Sequence, residues 1–190
     1  MRSNVCCANW RPQSNYEFAV GTIEQNIHLF DIRNPQTPLK MLYGHQRAVS
    51  FIRFLDIDTL VTLSTDSTAR AWDLNSSSLR SINSSEVYKG HVNNKNFVGL
   101  SCQNSTGKFF GCGSEDNKVY VYCRYSSSPV ATYDFGMNSN IASRALSESK
   151  SFTETDSQNQ DFISAMCWRK NSNSIIAGNS NGSIKILNLV

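Results

Sequence analysis

The sequence predicts an all-β chain that repeats one four-stranded unit, and three observations predict it. The first is the stretch STDSTARAWDL, residues 64–74. In it Thr68, Arg70 and Trp72 alternate with Ala69 and Ala71, the period of a strand. Asp66 stands before that strand in a polar turn, where an Asp side chain bonds nearby backbone. The second is recurrence of this Asp-x5-Trp template. EQNIHLF ends at Phe30 with Glu24 in the Asp position, DNKVYVY at Tyr122 with Asp116, and NGSIKIL at Leu187 with Asn181. The anchors 30, 72, 122 and 187 lie 42, 50 and 65 residues apart. The smallest spacing matches the roughly 40–45-residue period of β-propeller blades. The third is a pair of Gly-His dipeptides, Gly44-His45 and Gly90-His91. Each precedes an apolar strand, AVSFIRFL and NFVGLSC.

The elements follow in order. The first unit, residues 5–43, has strands near 5–10, 17–22, 26–31 and 38–42, the third of them ending in Phe30-Asp31. The second, 44–89, has strands near 48–54, 59–64, 68–73 and 86–89, with Trp72-Asp73 closing the third. The third unit, 90–135, has strands near 97–102, 108–113, 118–123 and 129–135. The fourth, 162–190, has three, near 162–168, 174–178 and 183–189. The gap 136–161 is rich in Ser, Asn and acidic residues (SESKSFTETDSQNQD). Such a composition cannot bury enough apolar surface to order itself, so a disordered loop is expected. Gly-His before the inner strand and Trp-Asp at the end of the third is the WD-repeat signature, and the fold class is a WD-repeat β-propeller. In such a blade the His, a strand-two hydroxyl, the Trp and the turn Asp form a buried hydrogen-bonded set. Here these are His45, Thr62 or Ser64, Trp72 and Asp66. Each member depends on the others, because an unpaired buried polar group costs roughly 1–3 kcal/mol. The unit ending in ILNLV lacks an outer strand, and Met1 to Asn4 are too few to supply it. The expectation is a partial propeller of four blades: the C-terminal part of a larger propeller, a truncated product, or a protein completed by a partner.

Composition narrows the function classes. The 190 residues are 39% hydrophobic and 17% charged, with a net charge of +3. Lys and Arg are scattered, which gives no case for direct nucleic-acid binding. No run of 18 apolar residues crosses a membrane, and MRSNVCCANW lacks the apolar core of a secretion signal. The six cysteines (Cys6, Cys7, Cys102, Cys112, Cys123, Cys167) contain no C-x-x-C pair. They read as reduced, buried thiols rather than a metal site or disulfides, and no metal or other cofactor is expected. The sequons at Asn75, Asn83, Asn104 and Asn181 carry no weight without secretion. A Cys–His hydrolase built on Cys112 with His28, His45 or His91 is the enzymatic alternative. His45 and His91 already hold the Gly-His position, GCGSE is not a nucleophile elbow, and no phosphate loop or H-E-x-x-H is present. No catalytic residue is expected.

A narrower resemblance rests on SNVCCANW, FDIRNPQTPL, GHQRAVSFIRFL, STDSTARAWDL, GHVNNKNFVGL, GSEDNKVYVY, FISAMCW and NSNGSIKIL. Together these segments resemble the C-terminal WD-repeat domain of the plant COP/SPA family (constitutive photomorphogenic and suppressor of phytochrome A proteins). RSNVCC and DIRNP-x-x-PL are closer to the SPA branch. The resemblance implies a seven-bladed domain of which this chain matches the last four blades. It implies a non-catalytic propeller that binds Val-Pro peptides of transcription factors or photoreceptors on its top face and works with COP/SPA partners in nuclear ubiquitination. On that basis Arg47 matches a basic peptide-binding position and Phe97 an apolar pocket position, although Phe97 equally fits a core. Asn94 stands where the ligase branch has an acidic residue. FDIR, through Asp31 and Arg33, resembles the end of the motif that docks propellers on a cullin-linked adaptor; the second blade reads WDLN, with Asn75 in place of Arg. A WD-repeat scaffold of other purpose is the alternative. Ser147 and Ser149 in the Ser-rich loop are candidate phosphorylation sites that would screen Arg47.

Overall fold

The computed structural model describes residues 3–75, 81–103, 106–136 and 161–189, with backbone alone for 81–83. The expected loop 136–161, with Ser147 and Ser149, lies almost wholly outside the described residues. Among the described residues sixteen strands form four sheets, one for each blade and antiparallel throughout except where the strand Ser81–Asn83 of blade two joins the sheet of blade one. Blade one holds β1 (Val5–Trp10), β2 (Glu17–Thr22), β3 (Ile27–Asp31) and β4 (Lys40–Tyr43). Blade two holds β5 (Val49–Phe54), β6 (Thr59–Ser64), β7 (Thr68–Asp73) and, after the excursion strand β8 (Ser81–Asn83), β9 (Glu86–Tyr88). Blade three holds β10 (Leu100–Cys102), β11 (Phe109–Gly113), β12 (Lys118–Cys123) and β13 (Pro129–Asp134). Blade four holds β14 (Ile163–Trp168), β15 (Ser174–Asn179) and β16 (Ile184–Asn188).

The repeat extends below the strand level. In each hairpin between the second and third strands, one residue adopts positive φ. These are Gln25 (74°), Ser67 (60°), Asn117 (58°) and Gly182 (89°), each directly after the template residue Glu24, Asp66, Asp116 or Asn181. That left-handed step lets the turn close, and in blades two and four the template side chain braces it, Asp66 Oδ1 accepting the Thr68 amide and Asn181 Oδ1 the Ser183 amide. β1, β5 and β14 also share a bulge near their second residue.

Two features depart from the sequence reading. β8 leaves blade two and pairs in parallel with β4 of blade one, Met41 with Ser81 and Tyr43 with Asn83, giving that sheet a fifth strand. The inner strand of blade three begins at Leu100 rather than near 97. Gly99 precedes it against blade four, where an added Cβ would lie 2.7 Å from the Met166 amide nitrogen. The chain before Gly99 turns outward, and Phe97 is 48% exposed.

The core lies between the blades. Ala19, Ile27, Leu29 and Leu42 of blade one pack on Val49, Ile52, Leu60 and Trp72 of blade two. The opposite face of blade two, with Val61, Leu63, Ala69 and Ala71, packs on Leu100, Phe110, Cys112 and Tyr122 of blade three. Val119 and Val121 then meet Ile163, Trp168, Ile175 and Ala177 of blade four. The inner strands therefore follow one another in the order β1, β5, β10, β14.

Candidate functional site

Blade two carries a directed chain of hydrogen bonds. Trp72 Nε1–H donates to Thr62 Oγ1 at 2.9 Å, and Thr62 Oγ1 lies 2.7 Å from His45 Nε2. His45 Nδ1 lies 3.0 Å from Asp66 Oδ2. The donors fit one assignment: the Thr62 hydroxyl donates to Nε2, and a neutral His45 donates Nδ1–H to the carboxylate. Burial pushes His45 below its ordinary pKa against the pull of Asp66. Burial alone would raise Asp66, but bonds from His45, Thr68 and the Gln46 amide hold it well below the usual carboxylate range. The set is a structural tie between the loop before β5 and strands β6 and β7. Ser64 is not its hydroxyl: Ser64 Oγ donates to Arg47 O and accepts from the Asp66 amide, both at 3.1 Å. Both hydroxyls lie on one face of β6. The register decides between them, because Leu60 pairs with Trp72 and the indole rises one step to Thr62.

The tie holds one end of the propeller, where the loops after the outer strands meet the hairpins between second and third strands. Arg47 is exposed and donates from Nη1 to Thr65 O at 3.2 Å. Ser67 Oγ donates to Asn93 O at 3.1 Å and lies 3.2 Å from Asn94 Oδ1. Glu115 Oε1 accepts the Lys95 and Asn96 amides at 2.7 and 2.6 Å. These bonds place Arg47 and Asn94 on either side of the 65–67 turn and set exposed Phe97 just past the Glu115 nest. The result is a cation, an amide and an aromatic ring on a braced rim, an arrangement that suits an extended peptide more than a reacting substrate.

Asp31 and Arg33 lie at the opposite end of blade one. Arg33 Nη2 reaches Asp31 Oδ2 at 2.6 Å and its Nε reaches Oδ1 at 3.0 Å, a two-point pair. The Arg33 side-chain and backbone donors hold the Asp31 carboxyl below its ordinary pKa. The guanidinium also lies 4.1 Å from the centre of the Tyr16 ring. Asn75, the matching residue of blade two, donates its backbone N–H to Asp73 Oδ1, as the Arg33 backbone N–H does to Asp31 Oδ1.

Comparison with known proteins agrees with this geometry. The family model described as "WD domain, G-beta repeat" matches residues 36–73. Protein SUPPRESSOR OF PHYA-105 1 of Arabidopsis thaliana is 39% identical over 99% of this chain and 17% of its own length. Protein SPA1-RELATED 3 of the same plant is 40% identical over 100% of the chain and 21% of its own length. The E3 ubiquitin-protein ligase COP1 of Arabidopsis thaliana is 38% identical over 98% of the chain and 25% of its own length. Over nearly its whole length this chain is similar to COP1 and SPA proteins, and it contains a WD repeat. It spans about a fifth of the length of the curated relatives it matches.

The structure bears on Cys112, the nucleophile of the enzymatic alternative. Cys112 is fully buried in β11, and burial raises its thiol well above the ordinary value, so it stays protonated at neutral pH. Sequence reasoning missed two site residues. Tyr16 was legible from the β2–β3 register, since Glu17 pairs with Asp31 and so brings Tyr16 beside Arg33. Glu115 lies within GSEDNKVYVY, but its role depends on a 92–97 loop whose path only the structure shows.

Blade three repeats the tie incompletely. His91 Nδ1 lies 3.0 Å from the Tyr122 hydroxyl, which itself donates to Lys89 O at 3.2 Å. His91 Nε2 is buried and has no hydrogen-bond partner among the described residues. The position that holds Thr62 in blade two holds Cys112 here, as the pairings Leu60–Trp72 and Phe110–Tyr122 show. A thiol is a weak donor. Cys112→Thr is therefore expected to raise stability by about 1 kcal/mol by supplying a hydroxyl donor to Nε2. An unchanged or lowered urea midpoint would show that the ring cannot use it.

Proposed function

We propose that this chain is a non-catalytic protein-interaction module of light signalling, which recruits Val-Pro-containing segments of transcription factors or photoreceptors to a cullin-type ubiquitin ligase complex in the nucleus. The observation that carries the reading is the braced rim of Arg47, Asn94 and Phe97, with Phe97 exposed rather than buried. Arg47 attracts the acidic flank of such a peptide, and Phe97 offers a flat apolar surface to valine and proline. Asn94 replaces a carboxylate with a neutral amide, so the rim repels acidic peptides less than an acidic residue there would. On the opposite end, Arg33, aligned by Asp31 and Tyr16, is the proposed contact for the cullin-linked adaptor. That guanidinium is preorganised, which lowers the entropy lost on docking.

An acidic Val-Pro peptide titrated into the chain tests the reading by fluorescence anisotropy. Phe97→Ala is expected to weaken binding roughly tenfold, the ordinary effect of truncating an interface aromatic. Arg47→Ala is expected to weaken it mainly at low salt, where steering by charge is strongest. Arg33→Ala leaves peptide affinity unchanged and lowers adaptor capture. Absence of peptide binding by the unaltered chain leaves a WD-repeat scaffold of another purpose.

A further inference from the structure

Among the described residues Arg70, on β7, is a cation that no carboxylate pairs. Its buried Nε has no acceptor there, and its side chain makes one hydrogen bond, from Nη1 to Ser84 Oγ at 2.9 Å. The guanidinium is held by packing. A Cβ added to Gly44 would lie 3.0 Å from its Nη1 and 3.3 Å from Trp72 Cη2. Ser84 comes directly after β8, the strand that leaves blade two to pair with β4. It comes directly before Ser85, whose amide brings the chain back to Ala71 O at 2.9 Å. The Arg70–Ser84 bond therefore fastens the end of the excursion to its own blade.

Ser84 is partly exposed, and its hydroxyl serves as an acceptor; among the described residues it donates to nothing. Turning such a hydroxyl into an ester removes a proton that no described bond uses and keeps the oxygen that Arg70 reaches. Other hydroxyls lack that combination. Ser85 Oγ donates to Ala71 O at 3.0 Å, a bond that an ester would lose. Thr59 also accepts from an arginine, Arg124 Nη2 at 2.7 Å, but Thr59 is buried and Arg124 is already paired with Asp56 at 2.7 Å. Glu86, the carboxylate next to Ser84 in sequence, pairs with Ala71, while Arg70 pairs with Val87. Glu86 therefore lies on the opposite face of the sheet from the guanidinium and does not compete for it.

We infer that Ser84 is a phosphorylation site and that Arg70 receives its phosphate. The step is transfer of the terminal phosphoryl group of a nucleoside triphosphate by a protein kinase. The bond from Ser84 Oγ to that phosphorus forms, the bond from the phosphorus to the nucleoside diphosphate breaks, and the seryl proton passes to the base of the kinase. The product carries roughly −1.5 to −2 charges and three strong acceptor oxygens, beside a guanidinium with five donors. A bond from a cation to a neutral hydroxyl becomes an ion pair in which two N–H groups can engage two oxygens at once. With β8 paired on blade one and Ser84 held on blade two, the phosphate locks the excursion across the boundary between the two blades. The site is separate from the Arg47, Asn94 and Phe97 rim and does not rest on the peptide reading.

Genetically encoded phosphoserine at position 84 of the 190-residue chain tests the capture. The urea midpoint should rise, with an unfolding constant about tenfold below that of the unmodified chain at low salt, and roughly 1 M salt should shrink the gain. In Arg70→Gln the phosphate should bring no gain. A second readout needs no variant: the second pKa of the phosphate, followed by its phosphorus NMR resonance, should fall clearly below its ordinary value of about 6, because a neighbouring cation favours the dianion. A midpoint unchanged or lowered by the phosphate, an equal gain in Arg70→Gln, or a phosphate that titrates at its ordinary value would each overturn the capture by Arg70. Mass spectrometry of the chain isolated from the cells that make it should find the modification on Ser84. Phosphate on Ser81 or Ser85 alone, or on none of the three, would overturn the site.

Discussion

Thr62→Val is expected to destabilise the chain by about 3 kcal/mol, roughly a hundredfold in the unfolding constant, because two buried groups lose their partner at once. The substitution keeps the shape of the side chain and removes one oxygen. Trp72 Nε1–H then has no acceptor and His45 Nε2 no donor, in a site where Trp72 and Thr62 are fully buried. Each such group costs roughly 1–3 kcal/mol when left unpaired. Thr62→Ser keeps the hydroxyl and loses one methyl, so about 1 kcal/mol is expected. Ser64→Ala separates the two hydroxyls of β6. Its bonds run to the Arg47 carbonyl and the Asp66 amide and to neither ring of the tie. It should loosen the Arg47 loop and leave Trp72 untouched. Urea curves give the energies, and the near-ultraviolet dichroism of Trp72 separates the two positions. A Thr62→Val midpoint within error of wild type would mean that the indole and imidazole find other partners.

How much of this was legible in the sequence depends on how local each cause is. The strands were legible because side chains alternate along them, as in Thr68 to Trp72, and because the polar turn, strand and large-residue template recurs. The choice between Thr62 and Ser64 was not, since both lie on one face and only the β6–β7 register tells them apart. The parallel pairing of β8 with β4 had no local cause to read, because its partner lies about forty residues away in a different blade. Phe97 was undecidable by composition, as an aromatic serves core and surface alike. In the structure Val98 is fully buried and Phe97 is exposed. Of the site, the blade-two tie followed from the WD pattern, while the braces Tyr16 and Glu115 depended on tertiary placement.

The same histidines make acid the second strong lever. Burial holds His91 down to about 4 against the opposing pull of Asp66 and Asp116, and it lowers His45 as well. In the unfolded chain both titrate near 6.5. Below that value the unfolded state takes up protons that the folded state refuses, so stability falls as pH falls. His91 alone should remove roughly 3 kcal/mol between pH 7 and pH 4. Asp66 acts lower, because a depressed carboxylate stabilises the fold above its unfolded pKa near 4 and loses that contribution on further acidification. The loss should therefore begin near pH 6.5, in the histidine range, and continue below pH 4, where Asp66 takes over as His91 finishes titrating. His91→Phe removes the first of these groups and should flatten the slope between pH 6.5 and 4.5, even if the variant is less stable at pH 7. Parallel slopes for wild type and variant would show that His91 is protonated without resistance in the folded chain. Water would then have to reach Nε2, the atom that has no hydrogen-bond partner among the described residues.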